Sequence, residues 1–187
     1  SLVIANISNP DRPYVVSSIS TAVAGPTRIT VKGRYAYVIG GGSFHVYDVA
    51  DPYHPQVLSG PLVVATGSTD VVAQGSYAYV GGGSMMNVIT AYVPSVPSVM
   101  DYIEVNDVQS LALSGRYVFV ARGTRWSIVD VQNAASPQLM QTITGVNSRG
   151  IAVRGRYVFV TDTSNNLLVY KLPGIEAAGI EVGAANI

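Results

Sequence analysis

Cysteine is missing from all 187 residues. That removes disulfides, thiolate metal sites and a cysteine nucleophile, and leaves the redox compartment open. Charge is scarce: only 12% of the chain is charged, and eleven basic residues balance eleven acidic ones. No global field would attract nucleic acid or an anionic membrane, so any electrostatic argument must come from local clusters. No segment approaches 18 unbroken apolar residues, which argues against membrane insertion. A basic-then-apolar opening is also missing; the chain starts in the strand-like run Leu2-Val3-Ile4, and the expectation is that processing or truncation removed something upstream.

What is present is a repetitive, oily chain. Hydrophobic residues make up 48%, too many for a disordered polypeptide. Nineteen glycines, twelve tyrosines and abundant valine favour strands and tight turns over helices. The hexapeptide GRYVFV occurs at 115–120 and again at 155–160, with GRYAYV at 33–38 and GSYAYV at 75–80. The opening glycines, Gly33, Gly75, Gly115 and Gly155, recur every 40–42 residues, and so do Pro13, Pro55, Pro97 and Pro137. Two markers with one period define a repeat, and about 40 residues per unit suits four short strands with their turns.

Each unit reads in the same order. A short apolar strand (Ile29–Val31, Val71–Ala73, Leu111–Leu113, Ile151–Val153) is expected to be buried on both faces. A Gly-centred hairpin follows, whose glycine supplies a positive φ. The second strand is the aromatic and β-branched block beginning at Tyr35, Tyr77, Tyr117 and Tyr157. Polar loops come next: GGGS at 40–43 and 81–84, then Arg122–Arg125 and Asp162–Asn166. Third strands cover 45–49, 87–91, 127–131 and 167–171, with an earlier copy at 3–7, and a proline turn leads into a fourth strand at 14–17, 56–59, 98–101 and 138–141.

The third-strand texts LVIANISNPDRP at 2–13, HVYDVADPYHP at 45–55 and SIVDVQNAASP at 127–137 resemble the LVIVD repeat, as does the GRYVFV block. The resemblance covers about residues 2–172, with Asn6, Thr90 and Tyr170 standing where the family has the aspartate of Asp48 and Asp130. It implies an all-β propeller of about four four-stranded antiparallel blades, or part of a larger propeller, in a bacterial or archaeal surface or secreted protein. The units are a partial blade at 1–27, blades at 28–69, 70–108 and 109–148, and a partial blade at 149–172. Either the chain is a piece of a longer propeller, or four blades close with Tyr14–Ser17 completing the last sheet and Leu2–Ile7 displaced. The first is favoured, because an open array leaves sheet faces uncovered. The tail at 173–187 breaks the pattern and reads as a packed segment or the start of a stalk or oligomerisation segment.

A propeller sorts its loops by end. One end gathers Lys32, Arg34, Arg116, Arg154 and Arg156 with Asp11, Arg12 and Asp51, a rim of weak ion pairs. The other gathers Arg28, Asp70, Asp107, Gln109, Arg122, Arg125, Arg149 and Asp162, and these are the candidate ligand-binding residues. Catalytic and metal signals are weak. His45 and His54 lie at opposite ends of a strand with no third ligand, so His45 reads as an ordinary strand residue. The GGGS runs lack the lysine and helix of a phosphate loop, and Ser68 and Ser110 lack a histidine partner. Trp126 reads as blade packing. No cofactor is implied. The expected function is non-catalytic: a displayed or secreted module that binds a protein partner, itself or a glycan, with no nucleic acid. The rival is a carbohydrate-active enzyme working from Asp70, Asp107 and Asp162, which would need carboxylates about 5–10 Å apart.

Overall fold

The computed structural model describes residues 1–21, 23–172 and 183–185. Every regular element among them is a β-strand, so no helix is long and apolar enough to cross a membrane. The strands β1 (Leu2–Asn6) and β2 (Tyr14–Ile19) pair as a half blade. The second blade is β3 (Pro26–Lys32), β4 (Tyr35–Gly40) and β5 (Ser43–Asp48), with a fourth strand split into β6 (Gln56–Val57) and β7 (Leu62–Val63). The split falls at Ser59-Gly60-Pro61, where the Ser59 hydroxyl accepts the Val46 amide at 2.9 Å and Pro61 has no amide to offer a ladder. The third blade is unbroken: β8 (Ser68–Gln74), β9 (Tyr77–Gly82), β10 (Met85–Thr90) and β11 (Ser98–Glu104).

The fourth and fifth blades run together as one six-stranded sheet of β12 (Ser110–Ser114), β13 (Tyr117–Asp130), β14 (Gln138–Arg154), β15 (Tyr157–Asp162), β16 (Leu167–Lys171) and β17 (Gly183–Ala185). The loop expected at Arg122–Arg125 is still a chain reversal inside β13. The Phe119 and Trp126 rings lie tilted against each other with centroids 6.5 Å apart, whereas seven residues of straight strand would hold them about 23 Å apart. The turn counts as strand because Gly123 also pairs with Ser148 of β14. Likewise β14 serves two blades, its first part pairing with β13 and its second with β15.

Burial follows one rule, repeated. Tyr37, Ile39, Phe44 and Val46 of the second blade pack on Val71, Ala78, Val80 and Ile89 of the third. The third blade's Tyr79, Met86 and Val88 meet Leu111, Val118, Val120 and Val129 of the fourth. The fourth blade's Phe119, Trp126 and Ile128 meet Ile151, Val158, Val160 and Tyr170 of the fifth. Sheets stacked face on face in this way give the propeller its core. Trp126 sits fully inside that packing, 5.1 Å from Tyr170.

Several expectations need correction. Ile29 and Val31 are exposed, because the half blade beside them offers only β1 and β2. Val71, Leu111 and Ile151, which match Ile29, are buried, while Ala73, Leu113 and Val153, which match Val31, are half-buried. The less favoured closure, with Leu2–Ile7 displaced, is not what is seen, since β1 pairs with β2 over its whole length. Tyr14–Ser17 does not complete the last sheet; Gly183–Ala185 pairs with β16 there. The rest of the expected tail or stalk, 173–182 and 186–187, lies outside the described residues. The residue matching Asp48 in the fifth blade is Lys171, not Tyr170: Tyr35 faces Asp48 and Tyr77 faces Thr90, while Tyr157 faces Lys171. The hairpin before β16 is one residue longer, with Asn165 at φ 64°.

The family aspartate has a physical task. Asp48 accepts the amide of Ala50, and Asp130 that of Gln132, closing the turn after the third strand. Asn6 does the same for Ser8, and Thr90 weakly for Tyr92 at 3.4 Å. Asp48 also pairs with Arg34, and Asp130 with Arg116 at 2.6 Å. The Arg34 hydrogen bond first, then the Ala50 amide, hold the Asp48 carboxyl below its ordinary value. In the fifth blade, which lacks the carboxylate, Arg156 turns to the Leu172 carbonyl instead.

Candidate functional site

The expected binding end divides into residues that hold blades together and residues that present chemistry. Asp70 belongs to the first group. Its carboxylate accepts the Leu111 amide at 2.8 Å and the Ser110 hydroxyl at 3.0 Å, both on the next blade. Beside it, the Thr69 hydroxyl reaches the Val108 carbonyl at 2.9 Å, and Thr27 repeats that bond one blade earlier, to Ser68 at 3.3 Å. Asp162 is also occupied, accepting the amides of Ser164 and Asn166 and the Asn166 side chain at 2.8–2.9 Å. The Asn166 side-chain bond, followed by its backbone amide, holds the Asp162 carboxyl below its ordinary value. Arg28 stands apart, exposed beside the half blade, with its guanidinium on the Thr27 carbonyl.

The other five candidates come together where the fourth blade meets the fifth. Asp107 occupies φ 63°, at the repeat position that Gly25 and Gly67 fill in the two preceding blades. A left-handed conformation is costly for residues with a Cβ, and aspartate is among the few that tolerate it. Its carboxylate lies flat against Gly123: a Cβ built there would stand 1.8 Å from Asp107 Oδ2. The Gln109 side-chain amide donates to Asp107 Oδ1 at 2.6 Å, and its carbonyl accepts Arg149 Nη1 at 3.1 Å. These bonds set Arg149, on the fifth blade, into line with the fourth.

Arg122 replaces Gly40 and Gly82 of the earlier blades and is buried. Its Nε donates to the Asn106 carbonyl at 3.2 Å and its Nη1 to the Ser127 hydroxyl at 2.8 Å. Burial lowers its pKa, nearby Arg125 lowers it further, and Asp107 offsets part of that. Arg125 itself is exposed.

The residue that composes the site is Ser148, which the sequence reading missed. Fully buried, its hydroxyl accepts the Arg122 amide at 2.9 Å and donates to the Arg125 carbonyl at 2.5 Å. One side chain from the fifth blade, next to Arg149 in sequence, thus fixes the turn that carries the buried Arg122 and displays Arg125. No local signal marks it, because its partners lie 23 and 26 residues earlier.

The opposite end of the third and fourth blades holds a cleft of about 600 Å³ lined by Tyr77, Tyr79, Tyr92, Arg116 and Gln132. Arg116 is engaged there by Asp130 and Gln132. Burial pushes the Tyr79 phenol up to about 12. Among the described residues no group of three histidine or carboxylate side chains could hold a metal ion. His45 is fully buried, with neither ring nitrogen hydrogen-bonded, a more demanding place than an ordinary strand position.

A family model, the LVIVD repeat, matches residues 26–60, 67–89, 106–144 and 145–169, well over half the chain. Similar solved structures include a functionally unknown protein from Desulfotomaculum acetoxidans, with 13% identity and a TM-score of 0.83 over 98% of this chain and 62% of that one. A protein from Lactobacillus plantarum gives 14% identity and 0.80 over 96% and 63%. A chain of a nidogen/laminin complex gives 11% and 0.61 over 86% and 64%. At these identities the likeness shows the fold alone, and the chain spans less than two thirds of the length of each. No curated protein matches the sequence significantly.

Proposed function

The chain belongs to the LVIVD-repeat family, and on that footing we propose that it is a non-catalytic β-propeller, displayed on a surface or secreted, that binds a protein or glycan through the end of its fourth blade. The observation that carries this reading is the contrast among equivalent positions. The second and third blades present Gly25, Gly40, Gly67 and Gly82, whereas the fourth presents Asp107 and Arg122, with Gln109, Arg125 and Arg149 around them. Polar side chains held by buried hydrogen bonds on a rigid scaffold are what recognition needs, because little ordering entropy is lost on binding. Propellers of similar fold also enter protein complexes, as the nidogen/laminin assembly illustrates.

The carbohydrate-active alternative has less support. Asp70 is committed to the next blade and Asp162 to its own hairpin. A general acid needs its pKa raised, and Asp162 is shifted the other way. The test is a glycan array and a panel of surface proteins probed with the purified chain. Binding without product release, weakened by Arg149→Ala, is expected. Release of cleaved glycan from the array, lost in Asp107→Asn, would overturn the reading.

A further inference from the structure

The charge arrangement at the fourth blade narrows the ligand chemistry. Arg122 is a buried cation whose two side-chain hydrogen bonds go to neutral acceptors, the Asn106 carbonyl and the Ser127 hydroxyl. Burying a charge without a hydrogen-bonded counterion is unfavourable. Arg125 adds a second positive charge within electrostatic reach. Arg149 brings a third, aimed by Gln109 through Nη1 only. Against them stands Asp107, whose carboxylate is held by Gln109 and pressed on Gly123. Asp162, which pairs across the sheet with Ser148, is turned into its own hairpin. Arg122 and Arg149 thus grip the 106–109 loop, at the Asn106 carbonyl and the Gln109 side chain, with Arg125 within electrostatic reach and Ser148 fixing the backbone of the 122–125 turn.

We propose that this end of the fourth blade is an oxyanion site, in which Arg125 and Arg149 receive a carboxylate or sulfate group carried by the ligand. The buried charge of Arg122, which lacks a hydrogen-bonded counterion, adds to the attraction. The proposal rests on the interaction reading above and specifies its chemistry. Guanidinium groups suit such ligands because their forked donors match two oxygens at once. The strained backbone at Asp107 has a place in this arrangement. Its carboxylate orients Gln109, and Gln109 orients Arg149, so the anion meets a guanidinium already in position.

The test is an amide NMR titration of the full chain with sodium sulfate and, separately, sodium glucuronate, each against sodium chloride at equal ionic strength. Saturable shifts centred on Asp107, Gly123 and Ser148 are expected, and the tighter probe identifies the geometry of the bound group. Arg125→Gln should weaken binding about tenfold, the loss of one charge-assisted contact, and Arg125→Lys should recover part of it. Arg125 is exposed, so these variants leave the core intact. Shifts that fail to saturate, or that match those in chloride, would overturn the oxyanion site. So would unchanged affinity in both Arg125→Gln and Arg149→Gln. If an array ligand binds these two variants as well as the parent chain, the oxyanion proposal falls while the interaction reading stands.

Discussion

The third and fourth blades share a period, a strand order and a packing rule, yet their ends differ. In the third blade Ser68 pairs with Gly82, and the incoming strand lies so close that a Cβ on Gly82 would meet the Ser68 Cα at 2.5 Å. In the fourth blade the first pair of the corresponding ladder is Ser110 with Ala121. There the Arg122 side chain donates to the Asn106 carbonyl of the incoming chain at 3.2 Å, and the Gln109 backbone amide donates to the Ala121 carbonyl at 2.9 Å. The fourth blade thus has an open, polar sheet end where the third has a closed one. A side chain alone does not part the strands, since Asp162 at the same position of the fifth blade still pairs with Ser148. The fold tolerates this because the blade faces that build the core lie elsewhere.

That contrast can be broken at three points, and a fourth test bears on a neighbouring one. Gly82→Ala puts a Cβ into the closed end against backbone atoms alone, and should cost about 3 kcal/mol in urea unfolding; an unchanged midpoint would mean the two ends are equally roomy. Ser148→Ala removes the hydroxyl that fixes the open end and strands the Arg122 amide. A loss of about 1–3 kcal/mol is expected, with the amide resonances of 122–125 broadened. Gly67→Ala tests the backbone alone, since nothing lies within 4 Å of the added carbon; about 1 kcal/mol should go to the left-handed φ. Little or no loss there would remove the argument that Asp107 is strained.

The fourth test compares the second and third blades, where His45 and Asn87 occupy matching buried positions. Burial lowers the pKa of His45, with a weaker opposing pull from the Ser59 backbone. The unfolded chain therefore binds more protons than the folded one below the ordinary histidine pKa of about 6.5, and stability should rise with pH through that window. Urea midpoints at pH 5 and pH 7.5 should differ in the parent and converge in His45→Asn. Equal slopes in both would place the acid sensitivity elsewhere.

Much of this was legible in the sequence, because a repeat prints its own ruler. Gly33, Gly75, Gly115 and Gly155 all adopt φ near +58° in the expected hairpins, and Trp126 packs between blades as its position suggested. Setting the repeats side by side also exposes the substitution of Gly67 by Asp107 and of Gly82 by Arg122, the best advance sign of the site. Other features escaped for physical reasons. Asp70 looked like a loop carboxylate, but its partners lie 40 and 41 residues downstream, where no local pattern can point. The longer fifth hairpin displaced the aspartate position to Lys171, since a ruler fails where a residue is inserted. Arg28 was grouped with the site by its place in the repeat, although its neighbouring half blade has a different surface.

The packing rule also bears on how such a molecule can change in length. Tyr37 receives the third blade as Tyr79 receives the fourth and Phe119 the fifth. A unit duplicated in frame would find a fitting surface on either side without any prior adjustment of its neighbours. Growth by copying therefore asks little of the core, and novelty can collect at the sheet ends, where one blade is free to differ from the rest.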